Sequence, residues 1–220
     1  MFPNYQGFGN DLLQGALVTM QLALASGLGG IAIGLLLCAG KLSGSTVPRF
    51  LCFGIANIFR GLPELLVILL TYFGVQVLLN EYSGSSFSIN PFAAGVISLS
   101  LIAGAYASEV FRAAYNAVPN GQIEAAVAYG MSSARTFISI SGPQMLKIGL
   151  PSLGNLWLLL LKDTSLVAVI SLNELMRNAQ IATATTKEPF LFYGTVAMIY
   201  IMISILTTGI INQYGKGDVT

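Results

Sequence analysis

A chain of 220 residues that is 55% hydrophobic, only 9% charged and has a mean hydropathy of +0.75 is neither a water-soluble globular domain nor a disordered segment. The net charge of +1 leaves no electrostatic footprint for nucleic acid. With no histidine and two cysteines, Cys38 and Cys52, the chain lacks histidine-bearing haem and zinc sites, Ser-His-Asp chemistry and four-cysteine metal sites.

Charges divide the sequence into apolar stretches. A helix needs about 20 residues to cross about 30 Å of hydrocarbon. Residues 12–40 carry no charge and predict a first span over about 12–39. No Lys or Arg precedes it and its apolar run is too long for a signal peptide, so a retained helix is expected. Gly30 and Gly34 form a small-xxx-small pair that lets another helix approach. A second span, 50–79, contains Arg60 and Glu64. A turn-like stretch from Tyr82 to Pro91 leads into a third, 92–115. A fourth, 150–172, contains Lys162 and Asp163, and a fifth covers 190–213. Tyr193, Tyr200 and Tyr214 read as packing and interface anchors.

Loop charges set the expected orientation. Lys41, Arg49, Arg112, Arg135, Lys147 and Lys216 fall on one side, Arg177 and Lys187 on the other. The richer side is expected to be cytoplasmic, which places the N-terminus outside and the C-terminus inside. Both cysteines then sit near the cytoplasmic face, where thiols stay reduced.

The longest polar interruption runs from Arg112 to Lys147. Pro119 and Asn120 read as a helix start with Asn120 as its cap. Ile123, Ala126, Val127, Gly130, Met131, Ala134, Phe137 and Ile138 then recur at three- and four-residue spacing, the apolar face of a surface helix. Within it stand Glu124, Ala125 and Ala126, then Gly130, Ile140 and Pro143, with Gly142 between the last two. This spacing resembles the EAA loop of ABC importer membrane subunits, EAA-x3-G-x9-I-x-L-P, except that Gly142 replaces the usual Leu. Arg60-Gly61-Leu62-Pro63-Glu64 resembles the RGxP signature of the polar amino-acid group. The stretches Ala105 to Arg112 and Ala117 to Gln122 resemble the lead-in to its EAA loop, and Lys162 to Val167 its fourth-span signature. The likeness covers about residues 12–213 and is closest to permeases for histidine, arginine, ornithine and opines.

That resemblance implies an all-α membrane protein, a single permease domain over residues 1–220 with about five transmembrane helices. It implies the type I ABC importer architecture with a cytoplasmic coupling helix at about 120–143, in a bacterial inner membrane. Glu124, Ala125, Ala126 and Gly130 would then contact one of two cytoplasmic ATPases. A second permease subunit, identical or related, and an extracytoplasmic binding protein complete the expected assembly. This chain is not expected to be an enzyme or to bind a cofactor: ATP and Mg belong to the ATPase partners. Gly40-Lys41 is not a phosphate loop, because Leu35 and Leu42 stand where Gly and Ser or Thr are required.

Charges inside a membrane cost roughly 2.5–3.5 kcal/mol each at the centre even on lenient scales, so they need partners or water. Arg60 and Glu64 are four apart, on one face if the helix is continuous, but Pro63 and Gly61 favour a break there. Broken helices commonly form transporter sites. Glu64 is the first candidate for a substrate's cationic group, and Glu174 at the outer end of the fourth span is the second. Arg60 either pairs with Glu64 or receives a substrate carboxylate. Asp163 is a further candidate contact, although it and Lys162 are more simply read as ion-pair partners. The resemblance implies an importer working by alternating access, and the acids add the expectation of a cationic amino acid as its substrate. The alternatives are an ion-coupled secondary transporter and a permease for a neutral or acidic amino acid such as glutamine.

Overall fold

The computed structural model describes residues 5, 7–83 and 88–215, the side chains of 83 and 210–215 aside. Lys216, the side chain of Tyr214 and the middle of the Tyr82–Pro91 stretch lie outside the described residues. Every regular element among them is helical. Helices α1 (Gly9–Lys41), α2 (Thr46–Gly61), α3 (Glu64–Leu69) and α4 (Val75–Ser83) are followed by α5 (Pro91–Asn116) and α6 (Asn120–Ala128). The short α7 (Ser133–Thr136) then leads to α8 (Gly142–Asp163), α9 (Leu175–Thr186) and α10 (Pro189–Gly215). Five stretches are long and apolar enough to cross a membrane: Gly9–Lys41, Glu64–Tyr82, Pro91–Asn116, Ser133–Ile170 and Pro189–Gly209.

Helix α5 is the hub. In its most apolar window 67% of residues are buried, against 11% in Glu64–Tyr82 and Pro189–Gly209, so the core is built around α5 and those two spans add only a few residues to it, among them Val67, Ile68, Phe192 and Val196. The reason is side-chain size. Ala94, Gly95, Ser98, Ala103, Gly104, Ala105, Ala107 and Ser108 are all buried and let neighbours approach from several sides. The hydroxyls of Ser98 and Ser108 donate to carbonyls within α5 itself, so they are satisfied without water. Helix α1 runs parallel to α5, with Gly30 against Ala103 and Gly34 against Ala107, the close approach that the glycine pair implies.

The second span is broken rather than continuous over 50–79. Helix α2 ends at Gly61, Leu62 and Pro63 take extended backbone (ψ 143° and 133°), and α3 restarts at Glu64. Proline lacks the N–H that would continue the ladder, and its ring disfavours helical geometry at Leu62. Arg60 and Glu64 therefore do not share one helical face. Beyond α3, a π turn over Leu70–Gly74 joins it to α4. The fourth span starts earlier than 150, because a π turn at Phe137–Ser141 joins α7 to α8 and the helix continues through Pro143 and Pro151. It closes as a 3-10 turn, Thr164–Ile170, where the hydroxyls of Thr164 and Ser165 donate to the carbonyls of Leu161 and Lys162. Cys38 and Cys52 are both free thiols.

Candidate functional site

The break in the second span delivers Glu64 to a cavity of about 190 Å³. Ile102, Ala103 and Tyr106 of α5 and Leu156, Leu159, Leu160 and Asp163 of α8 form the rest of its wall. Two carboxylates from different spans thus meet in one apolar pocket, and among the described residues no Lys or Arg lines it. Lys162, next to Asp163 in sequence, lines a different cavity of about 370 Å³ with Ser165, Met176, Tyr193 and Tyr200. Adjacent helical residues point roughly 100° apart, which is why the two charges part company.

Arg60 does not reach Glu64 as a pair. Its guanidinium lies 3.5 Å from Glu109 and 5.7 Å from the centre of the Tyr106 ring. Glu109 is the centre of a cluster that sequence reasoning missed. Oε1 accepts from Lys41 Nζ at 2.9 Å, and Oε2 accepts from Arg112 at 2.8–2.9 Å. Lys41 Nζ also donates to Ser108 Oγ at 2.6 Å and, with Arg112, flanks the Phe53 ring at 5.4 and 5.7 Å. Lys41 had the look of a loop charge because it ends an uncharged stretch, yet its side chain is fully buried. The available signal was the Glu109–Arg112 spacing of three, which puts both on one face of α5.

Glu174 stands apart from the acidic cavity, because the local backbone gives it another task. It is the N-cap of α9, fully buried, and accepts from the backbone N–H groups of Met176 (2.9 Å) and Arg177 (2.7 Å) and from Thr19 of α1 (3.2 Å). A carboxylate at a helix N-terminus satisfies orphan donors and complements the dipole. The same contact anchors α9 on α1, where Gly15 leaves room for the Leu175 backbone.

The loop after α5 is not one surface helix. Pro119, not Asn120, is the N-cap of α6, without a side-chain cap. Helix α6 ends at Ala128, Gly130 takes φ +75°, and Ser132 caps α7 by accepting from the Arg135 N–H. Gly130 N–H donates to the Val127 carbonyl at 2.9 Å and Met131 N–H to the Ala126 carbonyl at 3.0 Å. These two bonds are the Schellman cap, with Gly130 as its left-handed residue. The spacing from Ala126 to Gly130 is therefore the spacing of a helix stop. Glu124 and Ala125 are exposed and Ala126 is buried; Val127, Tyr129 and Ile138 leave apolar surface uncovered. The side chain of Gln144 at the base of α8 donates to Gln122 of α6 and to the Ile140 carbonyl, which ties this loop to the fourth span. Gly130→Ala is expected to cost about 1–2 kcal/mol through its left-handed backbone and to lower the amount of ATPase that co-purifies. Full retention of the partner at equal expression would count against a strict need for this turn.

The chain matches known proteins over most of its length. Residues 30–214 match the family described as binding-protein-dependent transport system inner membrane component. The chain is 39% identical over 209 residues to the histidine/lysine/arginine/ornithine transport system permease protein HisQ of Salmonella typhimurium, covering 93% of this chain and 92% of that one. It is 43% identical over 204 residues to the nopaline transport system permease protein NocQ of Agrobacterium fabrum, covering 90% and 86%. Its fold superposes on a crystal structure of an amino acid ABC transporter with histidines at a TM-score of 0.85 and 28% identity, covering 98% of this chain and 99% of that one. A methionine ABC transporter, MetNI, shares the fold at a TM-score of 0.79 and 17% identity, covering 94% and 96%. The chain thus belongs to the binding-protein-dependent inner membrane component family, as a multi-pass permease subunit of the polar amino-acid ABC importer type.

Proposed function

We propose that this chain is the permease of an ATP-driven, binding-protein-dependent importer of cationic amino acids, working by alternating access. The observation that carries the substrate reading is the pairing of Glu64 and Asp163 in one apolar cavity without a lining cation. Two carboxylates facing one apolar cavity repel one another, so the site is most stable with positive charge between them. The names of the relatives, which include histidine, lysine, arginine, ornithine and nopaline, support the same class.

The N-terminus lies outside and the C-terminus inside. Two permease copies or two related chains enclose the path, since the Glu64–Tyr82 and Pro189–Gly209 spans stay largely unburied in one chain. A loaded binding protein docks outside. Two ATPases, which carry ATP and Mg, close inside against α6, where Glu124, Ala125, Val127 and Tyr129 are exposed. Their movement reaches the fourth span through α7, the π turn and the Gln122–Gln144 contact. Asp163 at the far end of that span then changes its position relative to Glu64.

The test is ATP-dependent uptake by the reconstituted complex, with its binding protein, of labelled arginine and histidine against glutamine and glutamate. Preference for the cationic pair supports the assignment; preference for glutamine or glutamate overturns it. Glu64→Gln is expected to lower uptake of a cationic substrate about tenfold or more, the scale of one charged hydrogen bond, while ATPase co-purification stays unchanged. Equal uptake by the variant at limiting substrate would remove Glu64 from the site.

A further inference from the structure

The acidic cavity and the Glu109 cluster share one wall, the Tyr106 side chain. Tyr106 lines the cavity, and the Arg60 guanidinium lies 5.7 Å from the centre of its ring. Arg60 comes from the last turn of α2, immediately before the break that delivers Glu64. Along α5 the order is Ile102, Ala103 and Tyr106 in the cavity, then Glu109, then Arg112. Arg60 therefore stands at the boundary between the two groups.

Its hold on Glu109 is the weakest of three. Lys41 and Arg112 occupy the two carboxylate oxygens at 2.9 and 2.8 Å, whereas Arg60 has a 3.5 Å contact with the oxygen that Lys41 already uses. Arg60 is also the most exposed of the three cations, at 37% against 0% for Lys41 and 35% for Arg112. One carboxylate facing three cations leaves two positive charges without an acid in the cluster. Releasing Arg60 would leave Glu109 fully paired.

A cationic amino acid brings an ammonium group, a cationic side chain and one carboxylate. Glu64 and Asp163 match the two cations, and the cavity wall offers no cation to the carboxylate. A guanidinium presents a planar fork of donors that fits a carboxylate with two parallel bonds. We propose that Arg60 swings from Glu109 to receive the α-carboxylate of the transported amino acid. The site would then select cationic α-amino acids against the corresponding decarboxylated amines. This rests on the reading of Glu64 and Asp163 as the cation site.

The experiment is equilibrium binding of arginine, agmatine (arginine without its carboxylate) and glutamine to the purified permease–ATPase complex, by calorimetry. Wild type is expected to bind arginine about tenfold or more tightly than agmatine, the scale of one charge-assisted bond. Arg60→Gln is expected to weaken arginine about tenfold, leave agmatine unchanged and so close the gap. Arg60→Lys keeps the charge but loses the fork. It is expected to retain part of the gap, and it serves if Arg60→Gln does not fold. An unchanged arginine-to-agmatine ratio in both variants, or equal loss for both ligands, overturns the carboxylate role and leaves Arg60 an ion-pair partner only. Equal wild-type affinity for the two ligands also overturns it. Binding of glutamine in place of arginine and agmatine overturns the cationic-substrate reading itself.

Discussion

Replacing Glu109 by alanine is expected to destabilise the permease by about 3 kcal/mol or more, because it strands a buried cation. Lys41 has no side-chain exposure, and its remaining partners would be the Ser108 hydroxyl at 2.6 Å and the Phe53 ring at 5.4 Å. One neutral acceptor does not replace a carboxylate for an ammonium held away from water. Arg60 and Arg112 contribute less to the loss, since both keep about a third of their side-chain exposure and can be solvated. Removing both halves of the buried pair should hurt less than removing one, so Lys41→Met with Glu109→Leu is expected to recover part of the stability. The measurement is denaturant unfolding of the purified protein in lipid–detergent micelles. A loss below about 1 kcal/mol for Glu109→Ala, the range of an exposed ion pair, would mean that water reaches Lys41.

Gly34→Leu is expected to prevent the α1–α5 pair from closing. A Cβ at Gly34 would sit 2.7 Å from the Ala107 Cβ and 3.2 Å from the Ser108 nitrogen. At Gly30 it would sit 2.8 Å from the Ala103 Cβ and 3.3 Å from the Gly104 nitrogen. The obstacles include backbone of the central helix, which cannot turn aside as a long side chain would. Overpacking a formed core costs about 1–3 kcal/mol, and this site adds a whole side chain where one carbon already clashes. Folded protein recovered in detergent should fall severely, while Gly54→Ala, whose Cβ meets nothing within 4 Å, should leave it unchanged. Normal recovery of Gly34→Leu would mean that α1 and α5 are further apart than their small residues permit.

Much of this protein is legible in its residues. Apolar runs poor in charge locate spans because no charge crosses hydrocarbon cheaply; the number of five agrees with the stretches observed, while the second, expected over 50–79, is Glu64–Tyr82 after a separate α2, and the fourth starts before 150. Pro63 announces a break because it has no N–H to give, and α2 stops before it. Gly30 and Gly34 announce a close crossing because nothing larger fits. Gly130 announces the end of α6 because a left-handed residue is needed there. Each of these is a local rule, carried by one residue and its neighbours.

The pairing of charges is not local, and only the tertiary structure decided it. Arg60 reads as either a partner of Glu64, four residues on, or a receiver of a substrate carboxylate; the break at Pro63 sends it to Glu109. Lys41 reads as a solvated loop charge, and its long stem carries the ammonium into the interior between α1, α2 and α5. Glu174 reads as a second candidate for a substrate's cationic group at a span end, and α9 folds back onto α1 and takes it as a cap. Composition and spacing determine where helices run because backbone hydrogen bonding and hydrocarbon burial act along the chain. Which acid meets which base depends on the crossing of helices that lie 49 and 68 residues apart in sequence, as Arg60 and Lys41 do from Glu109. That crossing is set by packing around α5.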